Sequence, residues 1–251
     1  MKYVKLKYVV AMAGWLFVSY SVFFFIHDDQ KIIFLTKEDG VFETAGAVFF
    51  LLSAIIFFAI FLKNRKNSQR SVFKNIFFLL LACVFLFAFL EEISWGQRIF
   101  NLSTPQFLQK INKQGEINIH NIWIFDGHAK DGTKKTGLAL MLSMERLFSI
   151  FLITYCFLLP VLYNLYGRAK RVLDRIDFPI VPMAIGTVFL LNYLLAKIII
   201  FQIDSRLLHR SVTEIKECNV AVLLFIISIW FIRTYNAGPT PRSPKVTSSQ
   251  N

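Results

Sequence analysis

Six stretches of this chain are apolar for about the length a helix needs to cross a bilayer. The hydrocarbon layer is ~30 Å thick, so ~20 residues are required at the helical rise. Such runs fall at about 8–26, 41–62, 76–95, 147–166, 179–198 and 215–233. Inside hydrocarbon every backbone amide must be bonded within its own segment or in a closed barrel, and continuous runs of this kind are helices. The expectation is therefore an all-α fold: a polytopic membrane helix bundle of about six transmembrane helices, forming a single transmembrane domain over 1–235. Pro160 falls inside the fourth run and predicts a kink there. Lys2, Lys5 and Lys7 precede the first run as in a signal peptide. Its apolar core is too long for one and no small-residue cleavage site follows, so it reads as an uncleaved anchor.

Composition agrees. The chain is 55% hydrophobic with a mean hydropathy of +0.53, and only 18% of its residues are charged. That excludes a disordered chain and fits an ordinary soluble globule poorly. The formal charge of +12 would suit nucleic acid in a soluble protein. In so apolar a chain it marks instead the cytoplasmic side of a membrane. Six spans put both termini on one side. The segments on that side (the N-terminus, 63–75, 167–178 and the tail) hold 15 basic and 2 acidic residues, and the other side holds 13 and 14. Both termini are thus expected in the cytoplasm, with nucleic acid excluded as a partner and membrane lipid implied. All four histidines, His27, His120, His128 and His209, fall on the outer side. The tail, 236–251, is Pro- and Ser-rich and reads as disordered. Cys83, Cys156 and Cys218 are odd in number and scattered, and read as small buried hydrophobes.

The candidate chemistry gathers on the outer side. Glu91 and Glu92 end the third run, where ionisable groups are costly enough to suggest function. Glu91 has Ser94, Trp95 and Arg98 at i+3, i+4 and i+7, one stripe of a helix. This pattern suits an interfacial anchor, with Trp95 at the membrane surface and Arg98 paired to Glu91, or a polar site facing a wet cavity. Asp39 and Glu43 open the second run. Asp39 suits the positive end of a helix dipole, and Glu43 lies deep enough to join the same cavity.

The outer loop, 97–146, is long for a segment without a domain of its own, and such loops are usually functional. Ser103-Thr104-Pro105 predicts a short interfacial helix over about 105–111. The alternation that follows aims Glu116, Asn118 and His120 to one side. His128 reads as a solvated loop residue and Glu145–Arg146 as a local ion pair. Lys197 either snorkels to the surface or serves as counter-ion to Glu91 or Glu92. Beyond the fifth run, Arg206, Arg210 and Glu214 share a helix face with His209 beside them.

Two chemistries fit. One is a divalent metal such as zinc, held by His120 and His209 with a glutamate. The other is metal-free, with Glu43, Glu91, Glu92 or His120 as acid or base and Arg98 or Arg206 clamping an anionic group. Trp95, Gln97 and Asn121 are further candidate contacts to substrate, and Ser94 is a weak candidate nucleophile with His120. No His pair has the i, i+4 spacing of a zinc hydrolase helix.

The segments Glu91-Glu92-Ile93-Ser94-Trp95-Gly96-Gln97-Arg98 and Gln114-Gly115-Glu116-Ile117-Asn118-Ile119-His120-Asn121 resemble a motif pair of uncharacterised bacterial multipass inner-membrane proteins. Glu38-Asp39-Gly40 resembles a further part of that signature. The resemblance implies a bacterial inner, or cytoplasmic, membrane location and no particular reaction. A looser likeness is to the alkaline ceramidase-like membrane hydrolases, whose His and Asp residues hold zinc near one leaflet. This chain departs from them in span number and lacks their Ser and His-x3-His elements.

Three functions follow as expectations. The first is a hydrolase or transferase acting at the outer leaflet on a lipid head group or lipid-linked substrate. The second is a non-enzymatic assembly, binding or sensing subunit. The third, a small transporter, fits least, because only Asn192 is polar near the midplane, where transport sites lie. Nothing in the sequence specifies an oligomeric state.

Overall fold

The computed structural model describes residues 6–65, 72–97 and 99–236. The chain forms α1 (Leu6–Phe25), α2 (Asp29–Thr36), α3 (Val41–Arg65), α4 (Val72–Glu92), α5 (Gln106–Ile111), α6 (Gly137–Met141), α7 (Met144–Leu152), α8 (Leu159–Leu165), α9 (Gly167–Arg175), α10 (Met183–Gln202) and α11 (Arg206–Asn236). Among the described residues there is no strand, only isolated bridges at Asn112–Ile122 and His128–Lys134. Six helical segments are long and apolar enough to cross a membrane: α1, α3 extended by α2, α4, the α7–α8 composite, α10 and α11. This is a multipass, all-helical membrane architecture.

The packing follows from small residues and aromatic rings. Helix α3 lies along both α4 and α11, and α11 also meets α1, α2 and α10. Gly46 of α3 brings its backbone against Cys218 of α11, where an added Cβ would sit 3.6 Å from the Cys218 Cα. Small residues allow such approach between membrane helices, where dispersion rather than hydrophobicity holds them together. Around this seam Phe57 places its ring centroid 5.5 Å from Phe85, 6.1 Å from Phe78 and 5.9 Å from Phe231.

Polar groups inside the bundle bond to one another. Tyr20 Oη donates to Asn192 Oδ1 at 2.8 Å, Asn219 Nδ2 to the same oxygen at 3.1 Å, and Trp15 Nε1 to Asn219 Oδ1 at 2.8 Å. Asn192 Nδ2 donates to the Lys216 carbonyl at 3.1 Å. An unsatisfied amide in hydrocarbon costs several kcal/mol, so this set ties α1, α10 and α11 together.

Several expected boundaries move. The third span stops being α-helical at Glu92, short of 95, because Ser94, Trp95 and Gly96 take left-handed backbone (φ 46°, 54° and 78°). Pro105 stands at the N-cap of α5 instead of opening the helix, and the Thr104 carbonyl accepts Gln109 Nε2 at 2.9 Å. The sixth span begins at Arg206, well before 215. Loop 167–178 contains the basic helix α9, and α2 precedes the second span. Pro160 acts through a π-helical segment, Ile153–Leu158, that precedes it. There the Leu159 N–H donates to the Thr154 carbonyl, one residue further back than in an α-helix. Cys156 and Cys218 are buried as expected, whereas Cys83 is exposed on the face of α4. The tail expected over 236–251 lies, beyond Asn236, outside the described residues.

Candidate functional site beneath the long loop

The long loop closes over one end of the bundle because the end of α4 supplies its anchor. Glu91 is 6% exposed and accepts from four donors. Trp95 Nε1 reaches Oε1 at 2.6 Å. The backbone N–H groups of Ile119 and His120, each at 2.8 Å, and His120 Nδ1 at 3.0 Å reach Oε2. The left-handed turn after Glu92 makes this possible by folding Trp95 back onto the preceding helix. Left-handed geometry at the two non-glycine residues stores roughly 1–3 kcal/mol each, so the surrounding bonds must hold it.

They do so as a knot. Ser94 Oγ donates to Glu116 Oε2 at 2.7 Å, as does Asn118 Nδ2 at 2.7 Å. Gln97 Oε1 accepts the Ile117 N–H at 2.7 Å while its Nε2 donates to Thr104 Oγ1 at 2.7 Å. Asn112 Nδ2 donates to Asn118 Oδ1 at 2.9 Å and to its carbonyl at 2.8 Å. At the rim Gln114 Nε2 and Arg210 Nη2 both donate to Glu38 Oε1, at 2.8 and 2.7 Å. Asn121 Nδ2 bonds to Gln114 Oε1.

Further along the loop, Lys113 Nζ donates to Asp126 Oδ2 at 3.0 Å and the His128 N–H to Asp126 Oδ1 at 2.6 Å. Partial burial raises the Asp126 carboxyl, but these donors outweigh it and hold the group below the ordinary carboxylate range. A depressed folded-state value contributes stability above the unfolded pKa, and that contribution is lost as pH falls through the folded one. The loop over 125–135 should therefore loosen as pH drops below about 4. Amide exchange of Ala129 and Lys135, corrected for the intrinsic rate, checks this; protection constant through that window would refute it.

Under the loop lies a cavity of about 970 Å³. One wall is α3, α4 and α11; the other is α7, the π segment and α10. It runs from the loop residues down to Cys156 and Asn192, at mid-span. Helix α7 makes its close helix contacts with α6 and its own π continuation. It reaches α3 through Phe148, whose ring centroid lies 6.1 Å from that of Phe50. The gap beside α7 is lined by Leu147, Ile153, Phe157 and Leu190, which also face outward. The cavity therefore has an apolar floor bordered by outward-facing apolar side chains and a polar ceiling made by the loop.

The ceiling is acidic. Among the described residues, nine carboxylates and three Lys or Arg side chains line the cavity. The cations are engaged: Arg210 with Glu38 and, at 3.7 Å, Glu214; Lys216 with Glu217 at 3.6 Å and Glu145 at 3.8 Å; Lys113 with Asp126. Glu92 lies within electrostatic reach of Glu43, Glu214 and Glu217. Glu43 also accepts the Asp39 N–H at 2.7 Å, capping α3.

Of the residues singled out from sequence, Glu43, Glu91, Glu92, Ser94, His120 and Asn121 line this cavity, as do Glu116, Asn118, His128, Glu145, Arg210 and Glu214. Trp95 and Gln97 stand behind it and hold the loop. Arg206 is not on its wall, and Arg98 lies outside the described residues. His209 is turned away, its Nε2 2.6 Å from the Ile203 carbonyl. His120 and His209 therefore do not share a site, and among the described residues no group of three or more His, Cys, Asp or Glu is arranged to hold a metal. The Ser94 hydroxyl is spent on Glu116, not directed to His120. Lys197 sits 5.6 Å from the Tyr193 ring centroid, and is not among the lining residues. Glu145 meets Lys216, where a pair with Arg146 was expected.

Sequence reasoning missed Lys216 and Glu217 as site residues. The signal was present: Arg210, Thr213, Glu214, Glu217 and Val220 form one helical stripe, and all five line the cavity. Starting the sixth span at 215 cut that stripe in two. No family model matches this sequence, no curated protein is similar to it, and no solved structure resembles it.

Proposed function

We propose that this chain is a hydrolase or transferase of a bacterial inner membrane, acting at the outer leaflet on a lipid head group or lipid-linked substrate. The proposal places both termini in the cytoplasm, since the basic residues crowd the side opposite the loop. The observation that carries the reaction is the Glu91–His120 pair in the wall of a cavity whose floor is apolar. A carboxylate offers only acceptors, so the bond from His120 requires its Nδ1 to carry the proton. Nε2 is then the basic nitrogen, on a side chain 39% exposed at the cavity. A carboxylate that fixes the tautomer and orientation of a histidine is the arrangement that makes imidazole an effective general base.

In hydrolysis of a head-group ester, His120 Nε2 takes a proton from water as the water oxygen bonds to the ester centre. The imidazolium returns that proton to the departing alcohol oxygen as its bond breaks. In transfer, an acceptor hydroxyl replaces the water. The apolar floor holds the acyl chains, which fixes the head group beneath the loop and turns an encounter into an oriented complex.

General-base removal costs about 10²–10⁴-fold in rate. His120→Gln should lower turnover by that factor in purified protein reconstituted into vesicles of bacterial total lipid extract, with products read by mass spectrometry and thermal stability little changed. A second reading, a binding or assembly subunit, is favoured by the saturation of Glu91, whose four bonds are architectural. Wild-type protein that alters no lipid in those vesicles would overturn the enzyme and leave the subunit.

A further inference from the structure

The lining of the cavity says more about its ligand than that it is a lipid. We infer that the group seated under the loop is cationic: the ligand is an amphiphile whose head ends in an amine. This rests on the lipid-accessible site proposed above and deepens it. Three observations converge.

The first is charge. The excess of carboxylates over Lys and Arg on the wall is six among the described residues, more than any one further cation can cancel. Among the described residues the cations that line the cavity already face carboxylates, so an incoming phosphate drawn to them would have to break those pairs and enter a field of its own sign. Like charges brought together in a poorly solvated site cost several kcal/mol.

The second is a serine hydroxyl. Ser143 is 2% exposed, lines the cavity, and its side chain makes no cap bond although it stands at the N-cap of α7. Among the described residues its hydroxyl makes no cap bond and is not one of the fully enclosed atoms without a hydrogen-bond partner, so it opens on the cavity. Buried polar groups are ordinarily bonded, so a polar ligand group at this position would complete it. A serine oxygen accepts readily from an ammonium donor.

The third is access. The polar ceiling and the apolar floor are continuous within one cavity of about 970 Å³. The gap beside α7 is bordered by the exposed apolar side chains of Leu147, Ile153, Phe157 and Leu190, the border a lipid chain would cross. A free metal ion or a soluble amine would leave that floor unfilled, whereas an alkyl chain fills it. Glu214 and Glu217, one turn apart on α11, are placed to receive the ammonium.

The test uses full-length protein in lipid nanodiscs and three photoreactive probes of identical chain length: an alkylamine, an alkyl alcohol and an alkyl phosphate. Labelled segments are mapped by mass spectrometry. The amine should label α4, α7 and α11 lining residues about tenfold more than the alcohol, in line with a hydrogen-bonded charge, and the phosphate should label least. Glu217→Gln and Glu214→Gln, both isosteric, should each reduce amine labelling severalfold and leave alcohol labelling unchanged. Equal labelling by all three probes, or a preference for phosphate, overturns the amine inference while leaving a lipid site intact. Labelling of the outer bundle surface alone, by every probe, overturns the lipid site as well.

Discussion

Glu91→Ala should release the long loop from the bundle and cost about 3–5 kcal/mol of local stability, the range for stripping a buried charge from its hydrogen-bond partners. The substitution removes the acceptor of Trp95 Nε1, of the Ile119 and His120 amides, and of His120 Nδ1 in one step. Those donors cannot all find water while Ser94 and Asn118 remain buried around Glu116. The loss should not unfold the spans. The ring cluster of Phe57, Phe78, Phe85 and Phe231 and the Gly46–Cys218 seam are held by contacts the loop does not make. Local opening is therefore the cheaper response. Hydrogen exchange over 112–123 should accelerate by two or more orders of magnitude, while exchange in α3 and α11 stays slow. Glu91→Gln keeps one acceptor oxygen on a neutral group and should fall between alanine and wild type. If alanine leaves exchange in the loop unchanged, Glu91 is not its anchor, and the orientation of His120 has no support either.

The architecture was legible because its cause is local. Hydrocarbon demands a run of apolar residues of a set length, and the chain shows that demand openly at all six segments. The ends were less legible, because they depend on what the next element bonds to. Ser94 and Trp95 have no sequence signature for left-handed backbone; they adopt it because Glu91 and Glu116 accept their side chains. Arg206 begins a helix that hydropathy alone would not extend so far. The polar stripe from Arg210 to Glu217 is stable there only because it faces a cavity that other helices make.

The site was legible in part for the same reason. Acids at the end of an apolar run must go somewhere, and that argument finds Glu43, Glu91 and Glu92. It does not say which is structural. Side by side, Glu91 and Glu92 point about 100° apart on the helix: one turns to the loop amides and the other to the cavity. A sequence records both as carboxylates, and only the positions of Ile119 and His120 separate their roles. Histidines were harder still. His120 and His209 look alike in sequence as ligands, yet a carbonyl at Ile203 claims one and a carboxylate at Glu91 the other.

Gly186 sets how closely α10 approaches the fourth span beside the cavity, and three glycine substitutions should test it. Pro160 has no N–H to give the Cys156 carbonyl, four residues earlier, and that oxygen is turned to α10 instead. A Cβ added at Gly186 would lie 2.1 Å from it, against backbone that cannot rotate away. Gly186→Ala should therefore cost ~3 kcal/mol or more from overpacking, well beyond the ~1 kcal/mol that alanine gains over glycine in a helix. Gly46→Ala places its Cβ 3.6 Å from Cys218, an ordinary contact, so gain and loss should nearly cancel. Gly14→Ala meets nothing within 4 Å and should be neutral or slightly stabilising. Thermal unfolding in one detergent should rank the three in that order. Because Cys156 and Phe189 also line the cavity floor, Gly186→Ala should push α10 from the fourth span there and weaken retention of alkyl probes, an effect Gly14→Ala should not share. Equal melting temperatures for the three variants would mean that α10 does not approach the Cys156 carbonyl, and the cavity would lose the wall that bounds it at mid-span.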